Sequence, residues 1–280
     1  MKRTFAVYLF ASVAGCAAES DVVERIDHQV LPDPGMAPIS TTTQVVHLRP
    51  QAAYFDALRD QFGLDREEAR LRGMIRANIQ RAFAAYDVAV AIDEIELQGA
   101  TPDQVLTIDF YGIDPSGSFL TNYHNDSRPK DTGNLIRDEH LGGFDQTSAD
   151  EGYPGQGGVF IGSMFGAFGD DSTRNDPTAD RFHDVFAPFA PALGGTPPTF
   201  ADDPTIAISV LATFAASEAT HLIGHSIGLP NGPGFHNEGD NGCVMDNGAA
   251  RSFVERSRLD GEAERWCPDE ASYLDSILRR

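Results

Sequence analysis

Two histidines, His221 and His225, lie near the end of a long apolar segment that follows Asp203-Pro204. Proline suits the first turn of a helix, and this segment is predicted to be helical over residues 205–228. On a helix, residues four positions apart lie on one face, one turn above the other. The two imidazole rings are therefore predicted to lie close enough together to bind one divalent metal ion.

The residues after the second histidine are typical of a helix that ends and of a loop that turns back. Gly228 tolerates the positive φ at which helices commonly stop, and Pro230 prevents the helix from resuming. His236 lies on the loop beyond, and Met245 follows within Cys-Val-Met-Asp. A histidine pair alone is more often incidental than metal-binding, but these additional features favour a metal site to which His236 could return.

This stretch resembles the signature of the metzincin zinc peptidases, H-E-x-x-H-x-x-G-x-x-H followed by a turn that carries a methionine. The positions that match this signature are His221, His225, Gly228 and Met245. The resemblance implies a Zn²⁺ site formed by His221, His225 and His236 above the turn at Met245. Asn231 stands where the third histidine is usual, so His236 could serve only after a five-residue insertion.

The general-base position of the signature is altered, because Leu222 stands where the family has a glutamate. Loss of a general acid–base group typically lowers a rate by about 10²–10⁴. Glu218, three residues before His221, is a candidate substitute base or a hydrogen-bond partner of a ligand histidine. Glu238 is a second candidate base, and either carboxylate could instead be a solvated surface acid.

Three functions follow from this altered motif. The first is a zinc metallopeptidase with an unusual or relocated base. The second is a catalytically inactive relative that acts as a cell-surface binding or structural module, as the presence of Leu222 suggests. The third is a metal-free protein in which the histidine pair is merely packed.

The pattern of apolar residues predicts an α+β fold over residues 41–280, as one domain. A helix is predicted to begin near Asp65, with Glu68 completing a capping pattern. Its apolar face recurs every four residues, at Leu71, Ile75, Ile79 and Phe83. The predicted strands cover residues 42–48, 88–92, 105–111 and 158–162. Further helices are predicted within residues 249–264 and over residues 269–278.

The order of helix, Tyr86-Asp87-Val88 and strand is also how metzincin domains commonly begin. The resemblance implies a twisted, mostly parallel sheet, two long helices of which one carries the histidines, the methionine turn and a C-terminal helix. It further implies that an edge strand near residues 158–162 lines a cleft and pairs with an extended peptide or protein partner. The protein is expected to be a monomer.

Two segments rich in polar residues are predicted to be loops, over residues 112–157 and 169–204. The second contains a group of aspartates that could bind calcium through hard oxygen ligands. A solvated acidic loop is the favoured interpretation, because the aspartates do not match the regular spacing of a calcium loop. These residues are Asp170, Asp171, Asp176, Asp180 and Asp184.

The charge of the chain limits its partners. The formal net charge is −21 over 280 residues, and such an acidic chain does not bind nucleic acid by general attraction to phosphate. A strongly acidic surface favours solubility and cationic partners.

The N-terminus has the features of an export signal. Lys2 and Arg3 precede an apolar run, residues 5–13, that is too short to span a bilayer as a mature helix. The sequence Val-Ala-Gly-Cys that ends at Cys16 resembles a bacterial lipoprotein cleavage box. This resemblance implies removal of residues 1–15, a lipid on Cys16, a tether over residues 16–40 and a location at the bacterial cell envelope. An ordinary secretory signal is the alternative.

Only Cys243 and Cys267 follow Cys16 in the sequence. Two cysteines in an exported protein indicate one disulfide. This bond would connect the methionine turn to the C-terminal segment, and two reduced buried thiols are the alternative.

Overall fold

The computed structural model of the chain describes residues 43–101, 104–115, 117–123, 158–169, 178–227, 229, 242–246 and 251–278. Within these ranges the protein has a mixed α+β fold. The strands are β1 (Gln44–Pro50), β2 (Val88–Ala91), β3 (Val105–Tyr111), β4 (Asn122–Tyr123) and β5 (Gly158–Phe160). The α-helices are α1 (Ala52–Ala57), α2 (Glu68–Ala82), α3 (Met164–Phe168), α4 (Thr178–Phe186), α5 (Thr205–Ser226), α6 (Phe253–Arg256) and α7 (Pro268–Ile277).

The five strands form one sheet in the order β2-β1-β3-β5-β4. The first four are parallel, and β4 runs antiparallel to β5 at the edge. Val46 lies opposite both Val90 on β2 and Leu106 on β3. All three side chains are buried, as expected of a parallel sheet whose strands are apolar.

Two long helices, α2 and α5, pack along each other. The four-residue period of α2 buries Leu71, Ile75 and Ile79, as the sequence pattern predicted. Polar contacts fix the alignment of the two helices, since Arg70 Nη2 donates to Thr205 Oγ1 at 2.9 Å.

Helix α5 is buried on every side from Ala207 to Ser226. Its mean hydropathy of 1.5 would suit a membrane-spanning helix, but 94% of its most apolar window is buried inside the protein. A helix that is apolar all round fits the centre of a large core equally well. Among the described residues, α5 is therefore the central helix of the core.

An aromatic cluster joins helices α3, α4, α5 and α6. Phe182 on α4 lies 5.3 Å from Phe253 on α6, measured between ring centroids. Phe168 on α3 lies 5.6 Å from Phe214 on α5. These rings are buried and hold α6, and therefore the chain that follows the methionine turn, against the middle of α5.

Several predicted boundaries differ from the structure. The predicted cap at Asp65 does not begin an α-helix, because residues Asp65–Glu67 form a 3₁₀ turn and α2 begins at Glu68. Residues 158–162 are not an edge strand, since β5 ends at Phe160 and lies between β3 and β4. The strand at this edge of the sheet is the two-residue β4, which lies inside a segment predicted to be a loop.

The predicted loop over residues 169–204 is wrong in part, because it contains helix α4. Phe182, Val185 and Phe186 form a buried face at helical spacing, which the surrounding acidic residues concealed. Asp180 is exposed on this helix. Of the other candidate calcium ligands, Asp170, Asp171 and Asp176 lie outside the described residues, so the structure adds no support for a calcium site.

Candidate metal centre

The histidine pair occupies the last turn and a half of α5. His221 and His225 are both buried, and each ring makes a hydrogen bond to a backbone carbonyl group. The Nδ1 atom of His221 donates to the carbonyl oxygen of Val244 at 2.8 Å. The Nδ1 atom of His225 donates to the carbonyl oxygen of Leu229 at 2.8 Å. Because a carbonyl oxygen can only accept, both Nδ1 atoms carry hydrogen and both Nε2 atoms are the basic positions of their rings.

The two Nε2 atoms face each other at 3.0 Å. Two lone pairs at this distance repel unless a cation, either a proton or a metal ion, lies between them. Zn²⁺ binds imidazole nitrogen at about 2.0–2.1 Å in tetrahedral geometry, which separates two ligand nitrogens by about 3.3 Å. Hydrogen bonds from Nδ1 to backbone carbonyls are the usual support of metal-binding histidines. The pair therefore fits a zinc ion as two of its ligands.

A third ligand does not come from the part of the chain that the structure describes. Within those residues, the one group of three or more potential ligand side chains is Cys243, Cys267 and Glu270. The sulfurs of Cys243 and Cys267 are bonded to each other and cannot act as thiolate ligands. His236, Asn231 and Glu238 lie outside the described residues, so the choice between His236 and Asn231 stays a prediction.

The methionine turn lies directly beneath the histidine helix. Met245 is fully buried, and its Sδ atom occupies the space that a side chain at Gly224 would need. The turn is closed by the backbone N–H of Asp246, which donates to Cys243 O at 3.2 Å. The Asp246 carboxylate in turn accepts the N–H of Cys243 at 3.0 Å. The absence of a Cβ at Gly224 thus allows Met245 to approach the helix between the two histidines.

Two links attach this turn to the C-terminal segment. Cys243 and Cys267 form a disulfide, with Cα atoms 5.4 Å apart, at the positions that the sequence indicated. The backbone N–H of Val244 donates to Arg265 O at 3.0 Å, and that of Arg265 to Gly242 O at 3.1 Å. The disulfide and these two hydrogen bonds therefore hold the backbone around Val244, whose carbonyl group orients His221.

Glu218 is buried in an ion pair and is not a solvated acid. Its Oε1 accepts Arg256 Nη1 at 2.8 Å, and its Oε2 accepts Thr121 Oγ1 at 3.1 Å. The side-chain amide of Asn122 also donates to Oε2. Glu218 is 1% exposed, so its oxygens are engaged by three donors in a place that bulk water does not reach. This environment favours a structural role for Glu218 over that of a base.

Arg256 completes the junction between α5, α6 and the edge strand. Its guanidinium donates to the carbonyl oxygen of Arg251 at 2.7 Å. The same group lies over the ring of Phe214, 5.4 Å from its centroid, a favourable cation–π arrangement. Helix α5, helix α6 and the start of β4 are therefore connected through one buried ion pair.

Arg251 lies in a second buried cluster, at the base of the methionine turn. It donates to Ser217 Oγ at 2.7 Å and to Val244 O at 3.3 Å, and it pairs with Glu255 and Glu264. Burial, and then the charge of Arg256, lower the pKa of the Arg251 guanidinium. Arg251 and Arg256 were not predicted from the sequence, because isolated arginines in a polar segment carry no pattern that distinguishes them from surface residues.

Leu222 lies in the hydrophobic core and is fully buried. The residue that follows the first histidine of the pair is thus an apolar core residue. Glu218 is paired with Arg256. Neither Leu222 nor Glu218 is therefore placed to act as a base.

Glu270 is another buried acid near the turn. It accepts the backbone N–H of Cys267 at 2.9 Å and that of Met245, and it is 2% exposed. Burial raises the pKa of its carboxyl from 4.5 to about 7. The two backbone donors oppose this shift, whereas the charge of Asp246 adds to it.

Replacing Glu270 by Gln is expected to flatten the pH dependence of stability. Because the folded pKa is raised, the folded chain holds a proton that the unfolded chain has released between pH 4.5 and about 7. Glu270 therefore adds to the free energy of unfolding below pH 4.5, and this contribution is lost as pH rises to about 7. At about 1.4 kcal/mol for each pKa unit, a rise from 4.5 to about 7 corresponds to about 3 kcal/mol.

Urea denaturation of the wild type and of Glu270→Gln at the two ends of this window measures the effect. The exposed Glu262 provides a control substitution, Glu262→Gln. Parallel pH profiles for the wild type and Glu270→Gln would mean that Glu270 titrates normally.

Comparison of the chain with protein-family models, with curated proteins and with solved structures gave no match.

Proposed function

We propose that the protein is a metzincin-like zinc-binding protein with an impaired peptidase site, acting as a binding module at the bacterial cell envelope. The observation that carries the metal assignment is the convergence of His221 Nε2 and His225 Nε2 at 3.0 Å, with both Nδ1 atoms tied to backbone carbonyls. His236 is proposed as the third ligand. The envelope location rests on the lipoprotein-like sequence at Cys16.

Other features support this assignment. The mostly parallel sheet, the paired helices α2 and α5, the buried Met245 and the C-terminal helix α7 are the elements that the resemblance implies. They also occur in the implied order. The antiparallel edge strand β4 supports an extended peptide or protein as the partner, because an edge strand can pair with such a chain.

The residues of the proposed zinc site have separate roles. His221 and His225 would hold the zinc ion through Nε2, and the carbonyl groups of Val244 and Leu229 orient the two rings. When bound, zinc supplies a Lewis acid that polarises a carbonyl group. Helix α5 supplies no general base, because Leu222 lies in the core and Glu218 is paired with Arg256.

An active zinc peptidase is the second candidate, with its base on the loop after α5. Glu238 is the residue proposed for that role. Chelator-sensitive cleavage of casein or of a peptide library by the wild-type protein would favour this candidate over an inactive binding module.

Zinc content provides the first test. The purified wild-type protein, loaded with zinc and desalted, is expected to contain one zinc ion per chain by elemental analysis. His225→Ala is expected to lose this stoichiometric zinc, because one of the two convergent nitrogens is removed. His183→Ala is the control, since His183 Nε2 contacts the carbonyl oxygen of Gly169 at 2.9 Å, away from the pair. A zinc-free wild type would overturn the metal assignment.

Restoring a carboxylate tests the missing base. Leu222→Glu is expected to raise zinc-dependent peptide hydrolysis by about 10²-fold or more over Leu222→Gln, which has nearly the same shape but no titratable group. The zinc content of each variant shows whether the site has survived the substitution of a core residue. Equal rates for two zinc-loaded variants would show that the lost base is not the cause of inactivity.

A further inference from the structure

A second group of potential metal ligands lies at the methionine turn, apart from the histidine pair. It consists of the sulfurs of Cys243 and Cys267 and a carboxylate oxygen of Glu270, and these three atoms lie within 4.8 Å of one another. Tetrahedral zinc, with Zn–S distances of about 2.3 Å, separates two thiolate ligands by about 3.8 Å and a thiolate from a carboxylate oxygen by about 3.5 Å. The three side chains are therefore close enough to share one zinc ion once the two sulfurs are no longer bonded to each other.

The change that the sulfurs must undergo is small. The Cα atoms of Cys243 and Cys267 are 5.4 Å apart, and a disulfide holds its two sulfurs at about 2.0 Å. After reduction they need to separate by only about 1.8 Å to reach the spacing of two zinc ligands. Every chain carries these cysteines as thiols until the disulfide forms, so the reduced state precedes the oxidised state in each molecule.

The backbone beside both cysteines is held by contacts that do not involve the disulfide. The N–H of Val244 donates to Arg265 O at 3.0 Å, and that of Arg265 donates to Gly242 O at 3.1 Å. Trp266 Nε1 donates to the carbonyl oxygen of Ala82 at 2.8 Å, which attaches the start of helix α7 to the end of helix α2. The two thiols of the reduced, folded protein therefore remain neighbours.

Glu270 is fixed in position and still has lone pairs for a metal ion. It accepts the backbone N–H of Cys267 at 2.9 Å and that of Met245. A carboxylate has about four acceptor positions, so these two donors leave others unused. Glu270 and Cys243 are buried and Cys267 is half-buried, which leaves the Cys267 side as the route by which a reductant or a metal ion enters.

The charges around the group favour a cation. Asp246 places a second carboxylate near Glu270, and Arg251 is the positive charge that opposes it. Two thiolates and two carboxylates beside one guanidinium have an excess of negative charge, which a divalent ion would neutralise. Thiolates are also the ligands that zinc prefers among protein side chains in such mixed sites.

We propose that reduction of the Cys243–Cys267 disulfide creates a second zinc site, whose ligands are the two thiolates and the carboxylate of Glu270. In the reducing step a dithiol gives two electrons and two protons to the disulfide, forming two cysteine thiols and its own cyclic disulfide. Zinc then displaces the two thiol protons, and any proton that Glu270 holds. Three protein ligands leave the fourth position of the ion for water. This site does not depend on the histidine pair.

Metal content of the reduced protein is the test, in a full-length chain that carries Cys16→Ser and His225→Ala. The first change leaves Cys243 and Cys267 as the only thiols of the chain, and the second removes the proposed histidine site. After treatment with a dithiol and desalting without oxygen, this protein is expected to bind one zinc ion, whereas its oxidised form binds none. Adding Cys243→Ser and Cys267→Ser is expected to abolish binding in both states.

Cobalt(II) in place of zinc identifies the ligands. A thiolate-to-cobalt charge-transfer band is expected in the reduced protein only. Glu270→Gln keeps the shape of the side chain but removes its charge, and it is expected to weaken binding at least about 10-fold. Glu262→Gln changes an exposed acid of the same segment and is the control. Equal affinities for Glu270→Gln and its parent would assign the metal to the thiols alone and overturn the three-ligand site.

Two other outcomes would also overturn the proposal. One is a reduced protein with two titratable thiols, folded by circular dichroism, that binds neither zinc nor cobalt. The other is a reduced protein that unfolds and that zinc does not refold, because an ion bound only by the folded chain must stabilise it. Loss of the histidine site is detected separately, as an oxidised chain with His225 intact that contains no zinc.

Discussion

Replacing Glu218 by Ala is expected to lower the free energy of unfolding by about 3–5 kcal/mol, the usual cost of removing one partner of a buried ion pair. The substitution would leave the Arg256 guanidinium, 5% exposed, without its counter-charge. Thr121 and Asn122 would also lose the acceptor that positions the start of β4. Urea denaturation of the two proteins measures the difference.

Three further variants identify the source of this cost. Glu262→Ala removes an exposed acid and is expected to change stability by less than about 0.5 kcal/mol. Glu218→Leu combined with Arg256→Met removes both charges, and the pair is expected to cost less than the sum of the single changes. If Glu218→Ala were as stable as the wild type, the ion pair would contribute nothing to the fold.

Glu218→Gln distinguishes a structural role from a catalytic one. Gln retains the shape and the acceptor oxygen but cannot take up a proton as a base. If any hydrolysis by the wild type depended on Glu218 as the base, Glu218→Gln would abolish it while the zinc content stayed complete. We expect the reverse, a loss of stability with no change in any hydrolysis that the wild type carries out.

Removing the disulfide is expected to have the second large effect. Cys243 and Cys267 are separated by 24 residues, and closing a loop of this size stabilises a folded chain by about 3.5 kcal/mol through the entropy of the unfolded state. The loop contains Met245 and α6, so its loosening would also release the carbonyl group of Val244 that orients His221. We therefore expect the double variant Cys243→Ser, Cys267→Ser to unfold at lower urea concentration and to bind zinc more weakly.

Chemical reduction provides the matched control for this prediction. A thiol reductant should lower the stability of the wild type to a similar extent and leave the double variant unchanged. A reductant that does not affect the wild type, together with a fully stable double variant, would show that the cross-link is not needed to hold the methionine turn.

The central helix was the element most accessible to sequence reasoning. Its start at Asp203-Pro204, its long apolar run and its end near Gly228 predicted residues 205–228, and the observed helix is Thr205–Ser226. The period of α2 was also correct, because each residue of its apolar face contacts the core. Such features depend on local spacing, which a sequence displays directly.

Features that depend on distant partners could not be predicted in the same way. Strand β4 has only two residues, and its position is determined by β5 and by Glu218 on α5. Helix α4 was missed because its nine residues lie within a polar segment that is rich in aspartate and proline. Arg256 and Glu218 are 38 residues apart, and nothing in either local sequence indicates that they pair.

The attachment of β4 to α5 through Asn122, Thr121 and Glu218 has a thermodynamic consequence. A peptide bound along the edge strand would restrain the same helix whose last turns hold His221 and His225. Any free energy that zinc contributes to ordering the helix would then appear as tighter peptide binding, and the peptide would strengthen zinc binding by the same factor. Peptide binding at the sheet edge and zinc binding at the histidine pair would then be thermodynamically coupled.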